Sequence, residues 1–203
     1  MTDPALLLVV LTFVLIAVTP RIFFRRDGEL NLRWWSLAAP VGVAPGLLVG
    51  AELAELAPHV PQDWLTGTRL AAVVLAAAAI ALVSLTLGTH RIPIALWHQS
   101  DDAPRHLVTW GAYRRVRHPF YSSYLLAFLA AVAVFPHLVT LALLTYMAVQ
   151  LNAVAAKEER KLAASEFGAE YTAYTHHTGR FLPRPGSRSA ETEPTTADRD
   201  TTT

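Results

Sequence analysis

From its first residues the chain alternates long apolar runs with short polar stretches. Residues 4–20 are apolar without a charge, and residues 21–24 continue the run amphipathically. A second run, 36–57, is interrupted by Pro40, Pro45 and several glycines. Residues 68–88, TRLAAVVLAAAAIALVSLTLG, form the clearest run, and their alanines offer small side chains for close packing in lipid. Two more runs, 121–135 and 138–156, are split by Pro136-His137, as in a tight helical hairpin. A spanning helix needs roughly 20 apolar residues, with about 17 tolerated. The pattern predicts an all-α, multi-pass membrane protein with about five transmembrane helices.

Residues 157–167 continue the fifth helix beyond the bilayer. Leu162 follows Glu158 by one turn and Phe167 lies further on, an amphipathic and interfacial spacing that Gly168 is expected to stop. From Arg184 onward the chain is rich in Ser, Thr, Pro, Asp and Glu without apolar periodicity, which predicts a disordered tail. Three regions result: residues 1–89 with three spans, residues 90–183 with a polar loop, a helical hairpin and an amphipathic helix, and the tail at 184–203. Trp34, Trp35 and Trp64 suit interfacial depth. Glu52 and Glu55, near the end of the second run, are expected to reach the headgroups, because an acid at mid-bilayer is costly.

Lysine and arginine placement sets the expected orientation. Basic residues gather at 21–33, at 91–117 and after 156, while the other side keeps only Arg69. Five helices bring those three regions to one face, so the N-terminus is expected outside and the C-terminus in the cytoplasm. Because Arg21, Arg25 and Arg26 follow the first apolar run instead of preceding it, that run reads as a retained helix and not a cleaved signal.

Composition agrees with a membrane setting. Of 203 residues 53% are hydrophobic and 16% charged, against about 25% charged in soluble domains. A formal net charge of +1 argues against a nucleic-acid partner. The lack of cysteine excludes disulfides, thiolate catalysis and Cys-based zinc sites. His90, His98, His106 and His118 are irregularly spaced with no matching carboxylate pair, so no metal site is expected.

The polar chemistry concentrates in two stretches, 107–121 (LVTWGAYRRVRHPFY) and 157–183. Arg117 and His118 offer donors, and Pro119 restricts His118 toward an extended backbone. Pro119 is suited to begin the next helix, where its missing N–H costs nothing and the following amides face an anion. Glu158 and Glu159 supply the opposite sign. Tyr113, Tyr121, Tyr171 and Tyr174 supply hydroxyls and aromatic faces, which also attract a cation. A zwitterionic ligand suits this set.

The string Thr109-x-Gly111-x-Tyr113-x3-Arg117-His118-Pro119-x-Tyr121 resembles the core motif of the membrane methyltransferases related to isoprenylcysteine carboxyl methyltransferase and phosphatidylethanolamine N-methyltransferase. The later string Glu158-Glu159-x2-Leu162-x4-Phe167-Gly168-x2-Tyr171-x2-Tyr174, followed by Arg180-Phe181-Leu182-Pro183, is similar to that family's second signature. The likeness covers about residues 105–183. It implies S-adenosyl-L-methionine as cofactor and a lipophilic small molecule or lipid as substrate, an isoprenoid, prenylcysteine-like carboxylate or lipid amine. Carried over by position, cofactor contacts fall on His106, Leu107, Val108, Tyr113, His118, Pro119, Phe120, Tyr121, Glu158 and Glu159. Arg117 or His118 is expected to take the methionyl carboxylate, and the Glu pair the ammonium or ribose hydroxyls. No general base is identifiable. Two departures stand out: Ser123 replaces the glycine usual after the motif tyrosine, and Val154 stands where some members carry an arginine. The competing readings are a non-catalytic membrane protein that keeps this fold and a membrane reductase using a nicotinamide cofactor.

Overall fold

The computed structural model describes residues 3–17, 29–89 and 107–185. His90, His98, His106 and the expected disordered tail from residue 186 lie outside the described residues. Among the described residues six α-helices follow in order: α1 (Pro4–Ala17), α2 (Leu32–Leu53), α3 (Leu65–Thr89), α4 (Pro119–Val134), α5 (Leu138–Ala163) and α6 (Gly168–His177). Two 3-10 turns, Gln62–Trp64 and Gly111–Arg114, precede α3 and α4. Among the described residues there is no strand, and a single parallel bridge joins Val116 to Gly179. Three helical stretches are long and apolar enough to cross a membrane, Trp34–Leu53, Gln62–Thr89 and Leu138–Ala163, while α1 and α4 are apolar but shorter.

The closest packing joins α3 to α4. On α3 the buried positions Ala72, Ala76, Ala79, Val83 and Thr86 recur in steps of four and three, the spacing of one helix face. The buried residues of α4 are mostly small as well, among them Ser123, Ala127, Ala130 and Ala131. Small side chains let two helix backbones approach closely, which compensates for the lack of a hydrophobic driving force within lipid. Ser123, where a glycine was the family expectation, fits the seam because its hydroxyl donates to the Phe120 carbonyl of its own helix at 2.7 Å. Larger side chains join α1 to α4, where Phe13 meets Phe128 edge-on with centroids 5.0 Å apart.

Several helix boundaries differ from the sequence expectation, and two of them have a clear local cause. The second helix starts at Leu32, four residues before the expected 36, because the Asn31 side chain accepts the Trp34 N–H at 3.1 Å and caps it. Pro40 and Pro45 lie within this helix without ending it. Glu52 closes its last turn, and Glu55 follows with φ +52°.

The second difference is at Gly168, which opens α6 and does not stop the preceding helix. That helix, α5, ends at Ala163. The Ser165 hydroxyl then donates to the Leu162 carbonyl and accepts the Phe167 N–H, turning the chain. Glycine is needed at 168 because a Cβ there would sit 2.4 Å from the Ala163 carbonyl oxygen.

Both ends of the bundle are tied by polar contacts. At one end Asp3 caps α1 through the Ala5 N–H at 2.9 Å and pairs with Arg69 at the start of α3, 3.0 Å away. There the His59 N–H also donates to the Pro136 carbonyl, with the His59 and His137 rings 4.2 Å apart. The opposite end gathers both polar segments.

Candidate functional site

Local backbone chemistry first brings the motif segment against the end of α3. Gly111 has φ +60°, and a Cβ there would lie 2.3 Å from the Thr89 hydroxyl. That hydroxyl in turn accepts the Ala112 N–H at 3.2 Å. The 3-10 turn is therefore seated on α3 by a residue that only glycine fits comfortably.

The motif segment next pairs with the chain that follows α6. The Arg117 N–H donates to the Gly179 carbonyl at 2.8 Å, the His118 N–H to Arg180 at 3.1 Å, and the Gly179 N–H to Arg115 at 3.2 Å. The Ser122 hydroxyl reaches the Phe181 carbonyl at 2.7 Å, and the Tyr174 hydroxyl the Tyr113 carbonyl at 2.6 Å. Two stretches some sixty residues apart thus form one unit. His118 caps α4 with φ −126° and ψ 62°, less extended than the following proline suggested, and Pro119 occupies the first helical position. The amides of Phe120 and Tyr121 begin the helix without intrahelical acceptors.

Glu158 and Glu159 then divide the chemistry between them. The Glu159 carboxylate accepts from Arg117 Nε at 3.0 Å, from Arg180 Nε at 3.1 Å and from Arg180 Nη2. His118 Nε2 lies 3.3 Å from the same oxygen that Arg117 uses. Arg117 is further held by the carbonyls of Thr178 and Thr175, and Arg180 Nη1 donates to Asn152 at 2.6 Å. Glu158 is buried against different groups. Its Oε1 accepts the Tyr121 hydroxyl at 2.8 Å, and its Oε2 lies 3.6 Å from His118 Nδ1, within ion-pair but beyond hydrogen-bond range. The His118 ring stacks parallel to Tyr121, with centroids 5.3 Å apart and planes 6° apart.

The tyrosines around this cluster stay neutral. Burial pushes the hydroxyls of Tyr113, Tyr171 and Tyr174 well above the ordinary tyrosine range, and the charge of Glu158 adds to the effect at Tyr113, that of Glu159 at Tyr171. A phenol held protonated can donate a hydrogen bond but is not a base, and Tyr174 does so to the Tyr113 carbonyl.

Of the residues expected at the site, Arg117, His118, Tyr121, Glu158 and Glu159 come into direct contact. Pro119 is buried beside them, and Tyr113 joins through its carbonyl. Phe120 packs edge-on to Tyr124 at 5.1 Å and meets the cluster through the Tyr121 ring, 6.5 Å away. Leu107 and Val108 are half-buried; His106 lies outside the described residues. Arg117, expected as an anion ligand, is already engaged by Glu159 and two carbonyls. Two partners escaped the sequence reading. Asn152 precedes Glu159 by seven residues, two turns on the same helix face, a spacing that could have pointed to it. Arg180 was visible as part of the second signature but without a partner.

Comparison of the chain with family models, with curated proteins and with solved structures finds no match.

Proposed function

We propose that the protein transfers a methyl group from S-adenosyl-L-methionine to a lipophilic acceptor at the cytoplasmic face of a membrane that it crosses about five times, with its N-terminus outside. The observation that supports this most is the meeting of His118, Tyr121 and Glu158. These come from two separate motif segments, and they form a compact set with an imidazole, an aromatic face and a carboxylate.

The donor set fits the cofactor's chemistry. The methionyl part carries a carboxylate and an ammonium, the ribose carries hydroxyls, and the sulfonium is a second cation. Glu158 is suited to the ammonium or the ribose hydroxyls. His118 and the first amides of α4 are suited to the carboxylate. The stacked Tyr121 ring offers a face for a cation. Because Glu159 and Arg117 neutralise each other, the ligand role shifts from the pair of glutamates to Glu158, with Glu159 holding His118 in place. The cofactor supplies an activated methyl group, and the protein's task is alignment of acceptor, methyl and sulfur in line. An acceptor embedded in the bilayer explains why such an enzyme is itself membrane-bound.

Equilibrium binding of labelled S-adenosyl-L-methionine and of NADPH to the purified protein tests this reading. Binding of the former, abolished in His118→Ala and Glu158→Ala, is expected. Full affinity in both variants, or binding of NADPH alone, would sink it. Incubation of lipid extracts with methyl-labelled cofactor and the protein identifies the acceptor.

A further inference from the structure

Between α5 and α6 lies an open cleft of about 390 Å³ whose lining includes Arg117, Glu159, Arg160, Tyr171 and Arg180. His118, Tyr121 and Glu158 do not line it. The cleft therefore meets the cofactor site only through the Arg117–Glu159–Arg180 group. Three guanidinium groups face one carboxylate here, which leaves two positive charges uncompensated within the lining. Arg117 and Arg180 spend most of their donors on Glu159, on the carbonyls of Thr175 and Thr178, and on Asn152. The Arg160 side chain makes no hydrogen bond or ion pair among the described residues. Its fork of donors is uncommitted.

A second observation comes from Tyr171. The residue is 3% exposed, and its hydroxyl is buried without a hydrogen-bond partner. Buried polar groups in folded proteins are nearly always satisfied, so an orphaned one calls for an explanation such as a missing ligand or water. Burial keeps this phenol protonated and thus a donor.

We propose that the cleft between α5 and α6 binds a phosphate-class anion, carried by an anionic phospholipid headgroup or present as a free phosphate. An anion with several terminal oxygens matches converging guanidinium groups, because arginine presents planar paired donors to phosphate. Glu159 does not oppose it, since Arg117 and Arg180 already hold its carboxylate. The headgroup source rests on the membrane reading above, in which Arg160 stands at the end of a spanning helix, the depth at which basic residues meet anionic lipid. The free-phosphate source does not. S-adenosyl-L-methionine contains no phosphate, so this site and the cofactor site are tested separately.

The test uses the full-length protein in neutral detergent and in lipid nanodiscs. Its unfolding midpoint is followed against inorganic phosphate, with chloride matched for ionic strength, and in discs of phosphatidylglycerol against phosphatidylcholine. Phosphate, phosphatidylglycerol or both should raise the midpoint. Arg160→Gln should weaken the apparent affinity about tenfold, as expected for one charged hydrogen-bonding partner, and Tyr171→Phe about threefold. Lys161→Gln removes the same charge one residue on and should leave the response intact. Stabilisation by inorganic phosphate assigns a free anion, and stabilisation only by phosphatidylglycerol discs assigns the headgroup. The proposal is overturned if neither stabilises the protein, or if Arg160→Gln responds as the parent does. Should Arg160→Gln fold poorly, Arg160→Lys, which keeps the charge but loses the paired geometry, is read in its place. Arg160→Gln should bind S-adenosyl-L-methionine normally. Loss of both ligands together would place the cleft within the cofactor site and overturn it as a separate one, whereas failure of the parent protein to bind the cofactor would leave the phosphate result standing alone.

Discussion

The two ends of the bundle use the same types of charged residue to different effect. At the end where α1 and α3 begin, Asp3 is 15% exposed, but its partner Arg69 is 52% exposed, and among the described residues no second charge shares that carboxylate. At the other end Arg117 and Glu159 are each only 14% exposed, and Arg180 and His118 share the same carboxylate. A pair with one partner largely in water gains little, because water competes for that charge and the long side chain must be ordered. A desolvated group behaves as a unit, since removing one member strands the others without water to replace it. The difference teaches that burial and shared partners, not the number of charges, decide which end resists change.

The contrast is most easily broken at Glu159. Glu159→Ala should lower stability by about 3–5 kcal/mol, the usual effect of stranding buried partner charges, measured as the shift in a detergent denaturation curve. A smaller loss, comparable to that at Arg69, would mean that water reaches Arg117 and Arg180. Next in size is Gly168→Ala, which sharpens the comparison by testing backbone fit at the same end without touching a charge. The clash with the Ala163 carbonyl should cost about 1–3 kcal/mol, typical of overpacking, and loosen α6 as read by proteolysis. The smallest effect belongs to the far end. Arg69→Gln should cost under about 1 kcal/mol, and the difference should shrink further as salt is added, because screening acts on exposed pairs first. A salt-independent loss there would erase the distinction between the ends.

Much of the helical framework was legible in the chain. The alanine-rich run at 68–88 lies within α3, and the hairpin around Pro136-His137 separates α4 from α5, because uninterrupted apolar length and a proline break are local signals. Pro119 beginning α4 was equally local. The boundaries set by single side-chain contacts were not: Asn31 moves the start of α2, and the packing of Gly168 on Ala163 turns an expected stop into a start. Nor could spacing tell Glu158 from Glu159. Adjacent residues on a helix point about 100° apart, and which of them meets the arginines depends on where Arg180 arrives from a distant part of the chain. Arg160 looked like one more orientation signal in the sequence. Only the cleft beside it gives it another role.

The bridge between Val116 and Gly179 has a consequence for how the protein is made. Residues 178–181 follow all six described helices in the chain, so during vectorial synthesis they emerge after those helices. Until Arg180 arrives, Glu159 has only Arg117 and His118, and Ser122 lacks its partner at Phe181. Contacts between residues so far apart in sequence are slow to close because the intervening chain must first be ordered. The polar end of the bundle therefore matures after the apolar seam of α3 and α4, and a nascent chain halted before residue 178 would hold its helices without an assembled site.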